Sequence, residues 1–216
     1  NIPNKFSNID IKGLSSNSKE VKRNYIVPLS KEVKRNYIFF AIKGNKTNGE
    51  KFIKDAIKKG AAVIICSKNC NFKSEKILII KKNNIRNYLS IISSKFYKLK
   101  PQNIIAVTGT NGKTSIADLF FQIFNLNKIP VGSIGTLGIK YNNKTIKTNL
   151  TSPDTISIHK YLDFFKRKKI NNVIVEASSH GLDQDRLNNI NFKAGIFSNF
   201  SQDHLDYHKT MKSYLN

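Results

Sequence analysis

Apolar positions along the chain recur with two periods, and their alternation predicts the layout. Short continuous apolar runs read as buried strands: Tyr37–Lys43 (YIFFAIK), Ala61–Cys66 (AAVIIC), Lys76–Ile80, Ile104–Thr108 (IIAVT), Asn172–Glu176 (NVIVE) and Ala194–Ser198 (AGIFS). Between them, spacings of three and four residues predict helices. Glu50–Lys59 places Phe52, Ile53, Ala56 and Ile57 on one face, and Gly60 ends it. Asn84–Leu99 carries Ile85, Tyr88, Leu89, Ile92 and Phe96 at helical spacing. Thr114–Leu126 sets Ile116, Leu119, Phe120, Ile123 and Phe124 on its apolar side, and Ile156–Lys168 is a further helix. Continuous apolar strands alternating with helices predict an α/β fold built on a parallel sheet. Lys100–Asn103 (KPQN) reads as a linker, because Pro101 cannot continue a helix and a new strand follows. The expected organisation is a small N-terminal α/β domain over residues 1–100 and a second, parallel-sheet domain over residues 101–216.

One repeat interrupts the pattern. SKEVKRNYI occurs at Ser18–Ile26 and again, identically, at Ser30–Ile38. Two copies do not make a solenoid. The perfect identity reads as a local tandem duplication, with one copy inserted in a loop.

Composition narrows the classes. Hydrophobic residues make up 39% of the 216 positions, enough for a core, which excludes wholesale disorder. Lys and Arg total 37 against 14 Asp and Glu, a net charge of +23 that invites a nucleic-acid partner. The basic residues are nearly all Lys, spread along the chain, with Arg only at Arg23, Arg35, Arg86, Arg167 and Arg186. Asn and Ile are enriched together with Lys, the signature of an A+T-rich coding bias over a solvated surface. No RNA- or DNA-binding motif is present, so no nucleic-acid partner is expected, and the surplus charge serves at most to attract an anionic substrate. No apolar run approaches the roughly 18 residues of a membrane helix. The first residues lack the apolar core of a secretory signal. Cys66 and Cys70 cannot build a disulfide framework and read as core or surface thiols. The expectation is a cytoplasmic protein without membrane insertion.

The chemistry gathers in the second half. Strand Ile104–Thr108 runs into Gly109-Thr110-Asn111-Gly112-Lys113-Thr114 and then a helix. Glycines let backbone N–H groups turn onto phosphates, the helix N-terminus adds partial positive charge, Lys113 reaches the terminal phosphates, and the Thr114 hydroxyl can ligate Mg²⁺. The strict phosphate-loop pattern would place Gly at position 107, where this chain has Val107, so TGTNGKT is a variant. Glu176 ends the next strand; a carboxylate at a strand tip beside a phosphate loop is a natural Mg²⁺ ligand. The last strand leads into a segment carrying Asp203, His204, Asp206 and His208, a density of ionisable groups that reads as a site. Zinc is not expected, since the cysteines lie in the other domain.

TGTNGKT at 108–114, TSPDT at 151–155, EASSHGLDQDR at 176–186 and SNFSQDHLDYH at 198–208 occur in one order whose spacing resembles the Mur ligases, in particular the branch that adds a diamino acid. The first half is similar to that family's uridine-binding domain. The resemblance implies an N-terminal uridine-nucleotide-binding domain followed by the first part of a P-loop-type ATPase domain. It implies an ATP-dependent amide ligase of peptidoglycan precursor synthesis. ATP would phosphorylate the D-Glu side-chain carboxylate of UDP-MurNAc-L-Ala-D-Glu. The amine of a diamino acid, meso-diaminopimelate or L-lysine, would then attack the acyl phosphate. By position, Gly109, Thr110, Asn111, Gly112, Lys113, Thr114 and Ser115 would cradle ATP. Thr114, Glu176 and His204 would serve Mg²⁺, and Lys113, Glu176 and His204 would form the catalytic set. Thr151, Ser152, Ser178, Gln184 and Arg186 would hold the sugar-peptide, Arg186 through the bidentate fork of its guanidinium.

Asn45, Lys46 and Thr47 sit where the family contacts uridine, as does either Ser18 or Ser30, the duplication leaving both open. Ser152 stands where Thr is usual in the family and keeps the hydroxyl. The family's chain is longer. Its carbamylated lysine would fall just beyond Asn216, together with the amino-acid-binding domain, so these 216 residues alone are expected not to ligate. Another amide ligase of the superfamily and a non-catalytic nucleotide-binding module are the competing readings.

Overall fold

The computed structural model describes residues 9–16, 36–44, 47–148 and 150–215. Ser18, Ser30, Asn45 and Lys46 lie outside the described residues, as does most of the repeat. The chain divides into two compact units, Asn1–Leu89 and Ser90–Asn216.

The first unit holds a four-stranded sheet in sequence order: β1 (Gly13–Ser15), β2 (Tyr37–Phe40), β3 (Ala61–Ser67) and β4 (Leu78–Lys82), every pair parallel. Parallel neighbours need crossovers. The β2–β3 crossover is a 3₁₀ turn at Gly49–Phe52 followed by α1 (Ile53–Lys58). The single helix expected over Glu50–Lys59 is thus divided, because the Asn48 side chain accepts from the Glu50 N–H (3.1 Å) and tightens the first turn. The strand expected through Lys43 stops at Phe40. There the Ile42 N–H turns back to the Phe40 carbonyl (3.0 Å), and Lys43 pairs with Asn48 instead. Phe39, Ile53, Ala56, Ile64 and both cysteines form the core. The cysteines are therefore core thiols, and burial, reinforced by Cys70, pushes Cys66 up to about 12. The division between units falls within α2 (Ile85–Phe96), ahead of the linker expected at Lys100–Asn103.

The second unit holds a six-stranded sheet in the order β10-β5-β9-β6-β7-β8. Its strands are β5 (Asn103–Thr108), β6 (Val131–Gly135), β7 (Gly138–Tyr141), β8 (Lys144–Ile146), β9 (Asn172–Glu176) and β10 (Ala194–Phe197). β10, β5, β9 and β6 are parallel, whereas β7 and β8 run antiparallel at the far edge. The expected parallel sheet is present as four strands, and the antiparallel β7–β8 edge extends it. Asn142 and Asn143 take positive φ (44° and 59°), the two-residue hairpin conformation that Asn tolerates, and so join β7 to β8.

Helices α3 (Lys113–Leu126) and α4 (Thr155–Arg167) cover the sheet, and the short α5 (Ser179–Asp183), α6 (Leu205–His208) and α7 (Met211–Leu215) follow. Asp154 caps α4 by accepting from the Ser157 N–H at 3.0 Å. One core joins Ile104, Ile134, Ile158, Leu162, Phe165, Val173 and Val175; a second joins Val107, Ala117 and Ile174 beneath Ile116, Phe120 and Ile196. Each fully buried aliphatic side chain of this kind contributes about 1.5–3 kcal/mol. The apolar face expected for α3 is rotated. Ala117 and Phe121 are buried, while Leu119 and Ile123 are more than half exposed, because the small Ala117 lets the helix settle on the sheet along that side. Among the described residues no helix is long and apolar enough to cross a membrane.

Because β5, β6, β9 and β10 are parallel, their C-terminal ends open on one edge of the sheet. They deliver Gly109, Thr136, Glu176 and Ser198 to the same place.

Candidate nucleotide and cation site

The loop after β5 takes the conformation its glycines allow. Gly109 has φ +129° and Gly112 φ +81°. A Cβ on Gly109 would lie 2.2 Å from Ser198 Oγ and 2.8 Å from the Asn199 carbonyl. Gly112 is the N-cap of α3 and brings no capping side chain, so the first N–H groups of that helix keep their partial positive charge for a ligand.

The exit of β10 clasps this loop. Asn199 accepts from the Thr110 N–H through its carbonyl (2.9 Å) and from the Asn111 N–H through Oδ1 (3.0 Å). Its Nδ2 returns a bond to the Asn111 carbonyl (3.0 Å), and Ser198 Oγ donates to the same carbonyl (2.6 Å). Ser201 N–H donates to Thr110 Oγ1 at 2.9 Å. Lys113 Nζ donates to the carbonyls of Gly109 (2.6 Å) and Thr110 (2.9 Å), folding the ammonium over its own loop. Burial lowers the pKa of Lys113 from its ordinary value, opposed by the charges of Glu176 and Asp203. Ser115 stands exposed on the first turn of α3.

Glu176 is 1% exposed, and three donors hold its carboxylate. Thr114 Oγ1 donates to Oε2 (2.9 Å), the Thr136 N–H donates to Oε1 (2.9 Å), and Thr136 Oγ1 lies 3.0 Å from Oε2. A buried carboxylate beside two hydroxyls is an all-oxygen, hard donor set, and such a set fits Mg²⁺. No three His, Cys, Asp or Glu side chains converge on a metal position among the described residues, so a cation here would draw on hydroxyl and phosphate oxygens as well. His204 lies elsewhere in the site, at the N-cap of α6 with φ 52°, its ring 5.1 Å from that of His180 and 6.1 Å from that of Tyr214.

A cavity of about 280 Å³ opens beside Lys113, walled by Thr151, Ser152, Ser178, His180, Arg186 and His204 among others. It brings together most of the residues expected to hold the sugar-peptide. Ser152 Oγ is turned inward: it donates to the Glu176 carbonyl (2.8 Å) and accepts from the Ser178 N–H (2.9 Å). Ser178 caps α5 by accepting from the Gly181 N–H at 3.1 Å. Arg186 donates to the Ser152 carbonyl (2.7 Å) and to Gln184 Oε1 (2.8 Å), and Gln184 Nε2 donates to Tyr207 Oη (3.2 Å). Thr47, in the first unit, is exposed.

Thr136, His180, Tyr214 and the Ser198–Asn199 clasp escaped the sequence reading. The His180 ring lies tilted against that of Tyr207, centroids 4.1 Å apart, and burial, with His204, His208 and Arg186 nearby, lowers its pKa. Its place in EASSHGLDQDR was a usable signal; Thr136 carried none.

The family model for the Mur ligase middle domain matches residues 107–216, and the model for the Mur ligase family catalytic domain matches residues 29–102. The UDP-N-acetylmuramoyl-L-alanyl-D-glutamate--2,6-diaminopimelate ligase of Wigglesworthia glossinidia brevipalpis is 43% identical over 222 residues, covering 99% of this chain and 42% of the relative. The ligase of the same name from Rickettsia conorii is 40% identical over 219 residues, covering 100% of this chain and 43% of the relative. A solved structure of a ligase with this name superposes with a TM-score of 0.74 at 27% identity, covering 94% of this chain and 39% of that one. The chain thus spans about two-fifths of the length of these relatives.

Proposed function

Since the chain belongs to the Mur ligase family, we propose that it serves an ATP-dependent ligase adding 2,6-diaminopimelate to UDP-MurNAc-L-Ala-D-Glu in the cytoplasm, during synthesis of peptidoglycan precursors. The names of the relatives favour diaminopimelate over L-lysine. A carboxylate resists attack by an amine until its oxygen becomes a leaving group. Transfer of the terminal phosphoryl group of ATP to the D-Glu carboxylate gives an acyl phosphate. The amine then forms the amide bond, and phosphate leaves with the bonding pair of the C–O bond.

The residues match that demand. The N–H groups of Gly109–Ser115 and the start of α3 bind the phosphates, and Lys113 exchanges its bonds to the Gly109 and Thr110 carbonyls for phosphate oxygens. Mg²⁺ held by Glu176 and Thr114 would supply neutralisation of charge on the transferring group, with His204, set apart from that pair, left to a second ion. Arg186, Gln184, Thr151, Ser152 and Ser178 line or brace the cavity for the acidic sugar-peptide. The uridine end falls to the first unit, with Asn45, Lys46, Thr47 and Ser18 or Ser30 as its candidate contacts.

The observation that carries the reading is the meeting of Thr114, from the phosphate loop, with the buried Glu176 at the tip of β9, at 2.9 Å. Calorimetric titration tests it. Mg·ATP is expected to bind the wild-type chain, and Lys113→Met to weaken binding at least ten-fold, the loss of a charge-assisted bond or more. UDP-MurNAc-L-Ala-D-Glu is expected to raise the melting temperature in a concentration-dependent way. A chain that binds neither ligand would overturn the reading.

A further inference from the structure

The turn after β6 shapes the Glu176 carboxylate. Gly135 packs so tightly against it that a Cβ there would sit 2.0 Å from Oε1. Thr136 follows, with its N–H on Oε1 at 2.9 Å and its hydroxyl 3.0 Å from Oε2. Oε2 also accepts from the Thr114 hydroxyl at 2.9 Å. On its other side, Thr136 Oγ1 lies 3.1 Å from Thr151 Oγ1, at the wall of the cavity that holds Arg186 and Ser178.

A hydroxyl has one proton to donate. Thr136 therefore serves Glu176 or Thr151, not both at once. A cation that takes a lone pair of Oε2 repels the proton aimed at the same oxygen, and donation to Thr151 becomes the better arrangement. From the other end, an anionic group accepting the Thr151 proton polarises that hydroxyl and makes its oxygen a stronger acceptor for Thr136. Oε2 is then released for the cation. Both ligands drive the Thr136 proton the same way.

Resting on the function proposed above, we propose that Thr136 is a positioning residue that couples cation binding at Glu176 to binding of the anionic sugar-peptide at Thr151. The coupling is reciprocal: each ligand tightens the other by the same factor. The backbone N–H of Thr136 fixes Oε1 in either state, so the hydroxyl alone carries the exchange.

The test uses Mn²⁺ as an electron-paramagnetic-resonance probe of the cation site, titrated into the 216-residue chain with and without saturating UDP-MurNAc-L-Ala-D-Glu. In the wild type the sugar-peptide is expected to lower the Mn²⁺ Kd about five-fold or more. Thr136→Val keeps the shape and the N–H but loses the proton. Its Mn²⁺ Kd should be the same with and without sugar-peptide, while its melting temperature falls because the buried Glu176 carboxylate loses one donor. Thr136→Ser restores the hydroxyl and should restore the coupling, which a purely structural role for the methyl group would not allow. Thr151→Val removes the other partner and should abolish the coupling, which keeps the test decisive even where Thr136→Val folds poorly. Coupling that persists in Thr136→Val or Thr151→Val, or that is absent from a wild type which binds both ligands, overturns this proposal and leaves the ligase reading standing. If the wild type binds neither Mn²⁺ nor sugar-peptide, or if Glu176→Gln binds Mn²⁺ as wild type does, the ligase reading falls and this proposal falls with it.

Discussion

His159 sits on α4 with no exposed surface, and it should make the second unit acid-sensitive. Its Nε2 lies 3.5 Å from Ser90 Oγ, and its Nδ1 is buried without a hydrogen-bond partner. A protonated imidazole here would carry two N–H donors into a space that offers only the weak Ser90 contact and the Asn188 backbone, with the Lys100 ammonium nearby. Burial first, and Lys100 second, accordingly lower the pKa from 6.5 to about 4, against a smaller opposing effect of the Asn188 backbone. The folded state refuses a proton that the unfolded chain accepts, so stability is full above the unfolded pKa of 6.5. It is lost as pH falls towards 4, and no further loss from this group follows below that. Between pH 7.5 and pH 5 the loss from this one residue is about 2 kcal/mol, within a ceiling of roughly 3 kcal/mol.

Replacement by Leu, His159→Leu, removes both the titration and the orphaned nitrogen. It leaves the Ser90 hydroxyl its bonds with the Asn188 carbonyl and the Asn189 amide. Urea unfolding followed by circular dichroism at pH 7.5 and pH 5 checks this. The wild type should lose about 2 kcal/mol more than the variant on acidification. Parallel losses in the two proteins would refute the reasoning, because the acid sensitivity would then arise elsewhere.

Three further outcomes follow from the site. Gly109→Ala forces a Cβ to 2.2 Å from Ser198 Oγ at φ +129°; it should cost about 1–3 kcal/mol in thermal melts and abolish detectable Mg·ATP binding by calorimetry. Ser152→Ala leaves the half-buried Ser178 N–H and the buried Glu176 carbonyl without their shared hydroxyl, a loss of about 1–3 kcal/mol in urea titrations. Asn199→Ala removes two side-chain bonds to Asn111 and should weaken Mg·ATP binding several-fold while lowering stability by about 1 kcal/mol, the pair of measurements separating loop positioning from folding.

What the sequence revealed and what it hid divide along a physical line. The phosphate loop is legible because its chemistry is local: a strand, two glycines with positive φ and a helix start follow one another without a gap. Glu176 is legible because the end of an apolar strand is a fixed place in an α/β sheet. The antiparallel hairpin β7–β8 was hidden, since its strands are four and three residues long and β8 is exposed throughout. The face of α3 was misjudged at Leu119 and Ile123, which match the helical period about Ile116 and Phe120 as well as the buried Ala117 and Phe121 do. Period alone cannot weigh the close approach that a small residue permits.

The hidden part of the site is of another kind. Glu176 is buried, and hydroxyl and backbone donors from Thr114 and Thr136, 62 and 40 residues away in the chain, hold it. The loop backbone is braced by Asn199 from 88 residues away. Threonine and asparagine at such positions look in sequence like any turn residue, because their role exists only once the parallel strands bring their C-terminal ends together. A buried carboxylate without such donors would be driven to protonate or to leave the core. The donors must therefore be present wherever a strand tip carries a buried acid. That requirement converts a legible Glu176 into a rule for finding its partners: they lie just past the adjacent parallel strands, which here are β5 and β6 with their loops. Thr136 satisfies that rule by position, being the first residue past β6. Its second contact, with Thr151, is the feature that the rule does not anticipate, and it makes Thr136 more than a support for the acid.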